Sequence, residues 1–365
     1  MSALTKLMEE TVADPLRHAR LHAERGGRVV GLVGADVPAE LVLAADALPV
    51  VLPVLADGAT EEADRYLEPS FMPSLRSIAD QWLRGAFDFM EAVVFSRSDD
   101  SAQRCYYYLC ELQRNGITRG PTPLIFDIAK IPRPISLAHT QAAARALAAA
   151  LASRLERLPA AIAVRDERRA LLRRLQQLRQ SPCPPAGSLC AQLLRLGEVV
   201  PAERFDRELA AWLDSGFAPH LGPRVLLAGS APPDERLHAA VERAGGCVVA
   251  ELGDHSLDGL GPPIGTAPDP LGALARHYHG LDYGPRSFTD RAALLVRRAA
   301  KSRANGVVVW LIEQDEASGW QLPAMTKALA EAGVPLLSLT RRRWDAQDGA
   351  LEELTTFTRG LGVHT

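Results

Sequence analysis

The stretch 28–54, RVVGLVGADVPAELVLAADALPVVLPV, restricts the fold of this chain more than any other. Arg28 to Val33 is apolar and β-branched, as a strand buried on both faces requires, and Gly34-Ala35-Asp36 then breaks it with a polar turn. Asp36 is placed to N-cap a helix, and Pro38 falls in the first helical turn, where its missing N–H costs nothing. Leu41, Ala44, Ala45 and Leu48 recur at helical spacing until Pro49 stops the helix, and Val50 to Val54 reads as the next strand. Strand, turn, short helix and strand in one compact unit predict an α/β fold with a parallel sheet.

The rest of the chain extends that pattern. Ser74 to Trp82 and Ser101 to Gln113 read as helices, and Ala92 to Ser96 and Pro123 to Ile128 as strands, which gives a first α/β domain over 28–136 behind a helical N-terminal arm, 1–27. From Ala138 to Gln180 β-branched residues nearly vanish and Ala, Leu and Arg dominate, so this region predicts two helices broken near Pro159. The run Ser181-Pro182-Cys183-Pro184-Pro185-Ala186-Gly187 interrupts the chain, and further helix is expected over 188–196 and 202–215, making 137–216 a helical bridge. A second α/β domain, 217–365, opens on Pro223-Arg224-Val225-Leu226-Leu227-Ala228-Gly229-Ser230. Its expected strands are 224–228, 247–251, 306–312 and 334–339, with helices at 234–244 and 323–332. Two Rossmann-like, flavodoxin-like parallel-sheet domains are therefore predicted, with ligands expected at the carboxyl ends of the strands.

Bulk properties narrow the function. The 365 residues are too many for one ordinary core. With 41 basic against 44 acidic residues and a net charge of −3, no global electrostatic case for nucleic acid exists. No run of about 18 apolar residues occurs, so no membrane span is expected. Five scattered cysteines, Cys105, Cys110, Cys183, Cys190 and Cys247, fit a reducing cytoplasm better than a disulfide framework. Cys105 and Cys110 lie five positions apart on one helix and so on different faces. The other three read as buried small hydrophobes or incidental thiols, and the absence of any C-x-x-C pair argues against zinc.

Candidate binding residues cluster at strand ends. Gly34, and Gly229 with Ser230, each follow a strand and precede a helix. There backbone N–H groups could hold a phosphate or pantetheine, or simply make a tight turn. Neither G-x-G-x-x-G nor the P-loop pattern is present. His255, beyond the expected strand 247–251, is the histidine best placed for a substrate contact, whereas His277 and His279 read as surface residues. Of Tyr106, Tyr107 and Tyr108, consecutive on one helix, at least one must pack inward and another could face a partner chain.

The wording V-P-x-E-L-x-x-A-A-x-A-x-P-V at 37–50 resembles the opening of the 2-hydroxyacyl-CoA dehydratase and benzoyl-CoA reductase family, and the resemblance covers nearly the whole chain. It implies a cytoplasmic subunit of an ATP-activated acyl-CoA dehydratase (a lyase) or reductase, with an acyl-CoA ligand. It also implies a cluster-bearing homologous subunit in a heterodimer, and an ATP-dependent activator protein that delivers single electrons. Glu40, the glutamate of the V-P-x-E wording, would lie near the substrate and move a proton or position a thioester, or else favour its helix dipole as a first-turn carboxylate.

The family's cluster-bearing members hold a cubane iron–sulfur cluster on three cysteines, and here each slot is substituted. The C-P-x-x-R-S motif matches Met72-Pro73-Ser74-Leu75-Arg76-Ser77, and C-D-S-x-x-R matches Asp99-Asp100-Ser101-Ala102-Gln103-Arg104. The third cysteine, counted back from Leu322-Pro323, corresponds to Asp315. One thioether and two carboxylates suit a divalent cation or nothing rather than a cubane, so the iron–sulfur cluster of the family is not expected on this chain. Three readings follow: a cluster-free partner of a cysteine-complete subunit; an active enzyme with an unusual metal or cluster on Asp99 and Asp315; or a scaffold or small-molecule binding protein of the same fold.

Overall fold

A computed structural model describes residues 3–253, 261–281 and 288–362. The chain separates into two compact units, each gathered from three segments: residues 1–170, 196–209 and 260–288 form the first, and 171–195, 210–259 and 289–365 the second.

The first unit holds a four-stranded sheet, all parallel, in the order β2-β1-β3-β4. Its strands are β1 (Arg28–Val33), β2 (Ala47–Val51), β3 (Ala92–Ser96) and β4 (Thr122–Phe126). Helices α1 (Ala3–Ala13) and α2 (Arg17–Glu24) precede the sheet and belong to the first unit. α3 (Ala39–Ala44), α4 (Pro73–Leu83) and α5 (Asp100–Arg114) alternate with the strands, and α6 (Pro134–Ala150) follows them. β1 and β3 are central and almost wholly buried, as their unbroken Val, Leu and Phe content requires.

Two details of the opening segment differ from expectation. Asp36 does not cap α3, whose N-cap position is Pro38, because its carboxylate is engaged inside the unit. α3 also ends earlier, at Ala44, with Asp46 in a left-handed conformation at φ 54°, so β2 begins at Ala47 and Pro49 lies inside it. β2 is an edge strand, and a proline that donates no hydrogen bond is tolerated there.

The second unit repeats the plan with order β6-β5-β7-β8, again all parallel. Its strands are β5 (Arg224–Gly229), β6 (Cys247–Leu252), β7 (Gly306–Ile312) and β8 (Leu336–Arg342). Both sheets thus have the flavodoxin-like order, with the direction of winding reversing between the first and third strands. The expected bridge contains α7 (Leu158–Gln180), α8 (Gly187–Val199) and α9 (Ala202–Leu213), and the boundary between the units runs through all three. α10 (Arg236–Arg243), α11 (Pro270–His279), α12 (Arg291–Ser302), α13 (Glu316–Gly319), α14 (Leu322–Glu331) and α15 (Ala350–Gly360) complete the chain. α11 follows β6 of the second unit in sequence but belongs to the first. There Leu271, Leu274, Ala275 and Tyr278 join a buried cluster with Leu147, Ala148 and Val42.

Candidate functional site

The first strand of each sheet meets a glycine at its carboxyl end with nearly the same backbone: Gly34, just past β1, at φ 103° and Gly229, the last residue of β5, at φ 104°. Close approach to the neighbouring strand also demands glycine. A Cβ on Gly34 would lie 2.6 Å from Ser96 Cβ, and one on Gly229 would lie 2.2 Å from the Trp310 carbonyl oxygen. The N–H after Gly229 is already engaged, since Ser230 N donates to Trp310 O at 2.8 Å.

The point where the winding reverses is bridged in both units by a hydroxyl and a carboxylate. In the first, Ser98 Oγ beyond β3 donates to Asp36 Oδ2 beyond β1 at 2.5 Å. Ser96 and Ser98 share a further bond of 3.1 Å, and Lys130 Nζ lies 3.6 Å from Asp36 Oδ2, every group buried. In the second, Ser230 Oγ beyond β5 donates to Asp315 Oδ2 beyond β7 at 2.7 Å and accepts from Ile312 N at 3.1 Å.

Glu40 sits in the first turn of α3 and is wholly buried. Arg169 Nη2 of α7 donates to Glu40 Oε1 at 2.5 Å, and Tyr278 Oη of α11 donates to Oε2 at 2.8 Å. Burial pushes the Glu40 carboxyl up, but the Arg169 and Arg165 guanidiniums and the Tyr278 hydroxyl outweigh it and hold the group below its ordinary value. Burial and the Glu40 charge push the Tyr278 hydroxyl well up, so it stays a donor. Asp166 extends the network, pairing with Arg169 at 2.9 Å and accepting from the N–H groups of Ile264 and Gly265. Lys130 Nζ donates to Tyr278 O at 2.8 Å, and His279 Nδ1 lies 2.7 Å from Ala129 O. His277 and His279, expected at the surface, are half-buried because α11 packs into the first unit, and burial lowers His277 to about 4. The partner Tyr278, between two histidines that drew attention, gives no signal in sequence because it lies 238 positions from Glu40.

The three positions matched by motif to the family's cysteines share one local geometry: each heads a helix. Met72 is the N-cap residue of α4, with Pro73 following, and caps with no side-chain hydrogen bond. Asp99 is the N-cap of α5 and accepts from Ser101 N at 2.8 Å and Ala102 N at 3.2 Å. Asp315 is the N-cap of α13 and accepts from Ser318 N at 3.2 Å, besides its bond from Ser230. A helix N-terminus stabilises negative charge, which suits a thiolate ligand and a capping carboxylate alike. The donors present do not fit a cubane: no thiolate occupies a slot, and both carboxylates are engaged as caps. Among the described residues no group of three or more His, Cys, Asp or Glu could hold a metal ion. All five cysteines are free thiols. Burial and the nearby Asp99 charge push Cys105 up to about 12, the reverse of a ligand thiolate.

The remaining site candidates fall in the second unit. Gly229 and Ser230 border a small pocket, partly open to solvent, at the carboxyl ends of β5 and β6, with Leu237, Glu251, Leu252 and Trp310 among its walls. Arg179 Nη2 at 2.6 Å and His238 Nε2 at 3.1 Å both meet Glu251 Oε1. Burial raises the Glu251 carboxyl, and Arg179 and His238 more than reverse this, holding it far below the usual carboxylate range. His255 lies outside the described residues.

No described helix is long and apolar enough to cross a membrane. Comparison with curated proteins yields no match. A sequence model of the family described as 2-hydroxyglutaryl-CoA dehydratase, D-component, matches residues 35–356, a span that contains Glu40, Met72, Asp99 and Asp315. With two flavodoxin-like sheets and a match over most of its length, the chain belongs to the 2-hydroxyglutaryl-CoA dehydratase D-component family.

Proposed function

We propose that the chain is the cluster-free subunit of a 2-hydroxyacyl-CoA dehydratase or benzoyl-CoA reductase type complex acting on a CoA thioester. A cysteine-complete homologous subunit supplies the iron, and an ATP-dependent activator protein delivers the electrons to that partner. The observation that carries this reading is the use made of the ligand slots. Asp99 and Asp315 are engaged as helix caps and Met72 offers only a thioether, so the positions that would hold a cluster instead start α4, α5 and α13.

In this reading Glu40 serves as an anchor rather than a proton carrier. Both of its oxygens accept charge-assisted or hydroxyl hydrogen bonds, and the network ties α3 to α7 and α11. Each unit offers strand ends to the acyl-CoA, the first at Gly34 and the second at Gly229 and Ser230. The free thiols and the reducing chemistry of such a complex fit a cytoplasmic location. The test is co-expression of the tagged chain with a cysteine-complete relative under anaerobic conditions. Recovery of a stoichiometric heterodimer that dehydrates or reduces a CoA thioester supports the reading, and a chain that never associates with such a relative contradicts it.

A further inference from the structure

Helix α6 of the first unit is apolar on both sides. Its inner face carries Thr140, Ala144, Leu147 and Ala148, all buried, and the last three join the core cluster that also holds residues of α11. Its outer face repeats Ile135, Ala138, Ala142, Ala146 and Ala149 at steps of three and four, the spacing of one continuous helical stripe, and every one of them is exposed. Ile135 is 77% exposed. A helix that is apolar all round belongs in an interior, so this outer face is a surface left for a partner to cover.

The approach to the stripe is held in place. Between β4 and α6, Ile131, Pro132, Arg133 and Pro134 are all exposed, while the residues just before them are pinned. Ala129 N donates to Thr140 Oγ1 at 3.2 Å, and Lys130 Nζ donates to Tyr278 O at 2.8 Å. A surface that is rigid before binding has little entropy left to lose on binding. The alanines also let a second helix approach closely, toward the short end of the roughly 8–10 Å range of packed helix axes.

Charge indicates what covers it. From Ile128 to Arg165 the chain has one acidic residue, Glu156, against Lys130, Arg133, Arg145, Arg154, Arg157 and Arg165. Asp127, just ahead of this span, is held by Arg97 and His139. Arg154 and Arg157 pair with Asp46, and Lys130 is buried against Asp36. Arg133, at the head of the stripe, and Arg145, at its flank, are exposed and have no ion pair among the described residues. Two copies of this face would oppose cations to cations, which disfavours self-association. A membrane surface is poorly matched as well, because insertion at the interface takes large apolar side chains and the stripe has one isoleucine among alanines.

We propose that the outer face of α6 docks a helix of the cysteine-complete homologous subunit, a helix with its own stripe of small or apolar residues and with carboxylates opposite Arg133 and Arg145. This names the surface used in the heteromeric complex put forward above, and it rests on that reading.

Anaerobic co-purification of the tagged full chain with a cysteine-complete relative tests it, using Ala142→Glu and Ala146→Glu. Both positions are exposed and glutamate is a good helix former, so the isolated variants should keep the parent Tm. An unpaired carboxylate buried in an apolar helix contact should weaken the complex at least about tenfold. Ala330→Glu, exposed on α14 of the second unit, should leave association unchanged. Added salt should weaken the parent complex, because the contacts of Arg133 and Arg145 are screened. A parent chain that never associates overturns this inference together with the cluster-free reading. A parent complex that tolerates both glutamates, is equally lost with Ala330→Glu, or is indifferent to salt overturns this inference alone. So does a lowered Tm in both variants, which would show the face already covered within the chain. Dimerisation of the isolated chain, or its sedimentation with anionic-lipid vesicles, would assign the face to a second copy or to a membrane if Ala146→Glu abolished it, and would overturn the inference likewise.

Discussion

Ser230 Oγ donates to Asp315 Oδ2 across 2.7 Å, joining the ends of β5 and β7 where the second sheet reverses its winding. In the first sheet the hydroxyl and carboxylate exchange strands: Ser98 beyond β3 donates to Asp36 beyond β1. The two units therefore close the same topological position with the same chemistry.

The caps should be measurable as stability. Asp99→Ala is expected to lower unfolding free energy by about 1 kcal/mol, while Asp99→Ser should recover most of it, because either side chain can accept from the first-turn N–H groups. Urea denaturation followed by circular dichroism separates the two. Equal loss in both variants would show that the side chain does not cap.

The Glu40 anchor makes a larger prediction. Arg169→Met leaves a wholly buried carboxylate with one partner and should cost about 3–5 kcal/mol, as breaking a buried ion pair does. Tyr278→Phe removes a single hydrogen bond to a charged acceptor and should cost about 1.5–3 kcal/mol. If Arg169→Met is as stable as the parent, Glu40 is not held by this network.

Part of this architecture is legible in sequence. β3 and β7 are continuous apolar runs whose observed limits, Ala92–Ser96 and Gly306–Ile312, coincide with the expected ones, since central parallel strands carry an unmixed signal. β2 is displaced because Pro49 reads as a helix stop, whereas only its position at a sheet edge makes it acceptable in a strand. The place of Met72, Asp99 and Asp315 at helix starts follows from Asp, Ser and Pro in the flanking residues. The partners of Glu40 are not legible, because Arg169 and Tyr278 are brought to it by packing from 129 and 238 positions away. Nor does any local signal say that α11, which follows a strand of the second unit, belongs to the first.

Acid should act through His277. Burial, with Arg169 nearby, lowers it from 6.5 to about 4, so the unfolded chain binds its proton first. The stability this neutral ring contributes is fully present above 6.5 and is lost as pH falls toward about 4. His277→Gln should flatten the stability profile in that window. Glu40, held below its ordinary value, contributes fully above 4.5 and loses that contribution as pH falls below it, so the part of the His277 window above 4.5 is free of Glu40. An identical profile for His277→Gln between those limits would show that this ring does not titrate with unfolding.

Thiol reactivity should follow burial. Cys105 and Cys190, wholly buried and each pushed up to about 12, should resist alkylation of the native chain at pH 8, while half-exposed Cys110 and Cys183 react. Mass spectrometry of the alkylated peptides reads this directly, and fast labelling of Cys105 would contradict its placement inside α5.

The cluster-free assignment meets its most direct test in iron and acid-labile sulfide analysis of the chain purified anaerobically, alone and with a cysteine-complete partner. The account predicts no stoichiometric iron on the isolated chain and iron only in the complex. About four irons on the isolated chain, the content of one cubane, would contradict it.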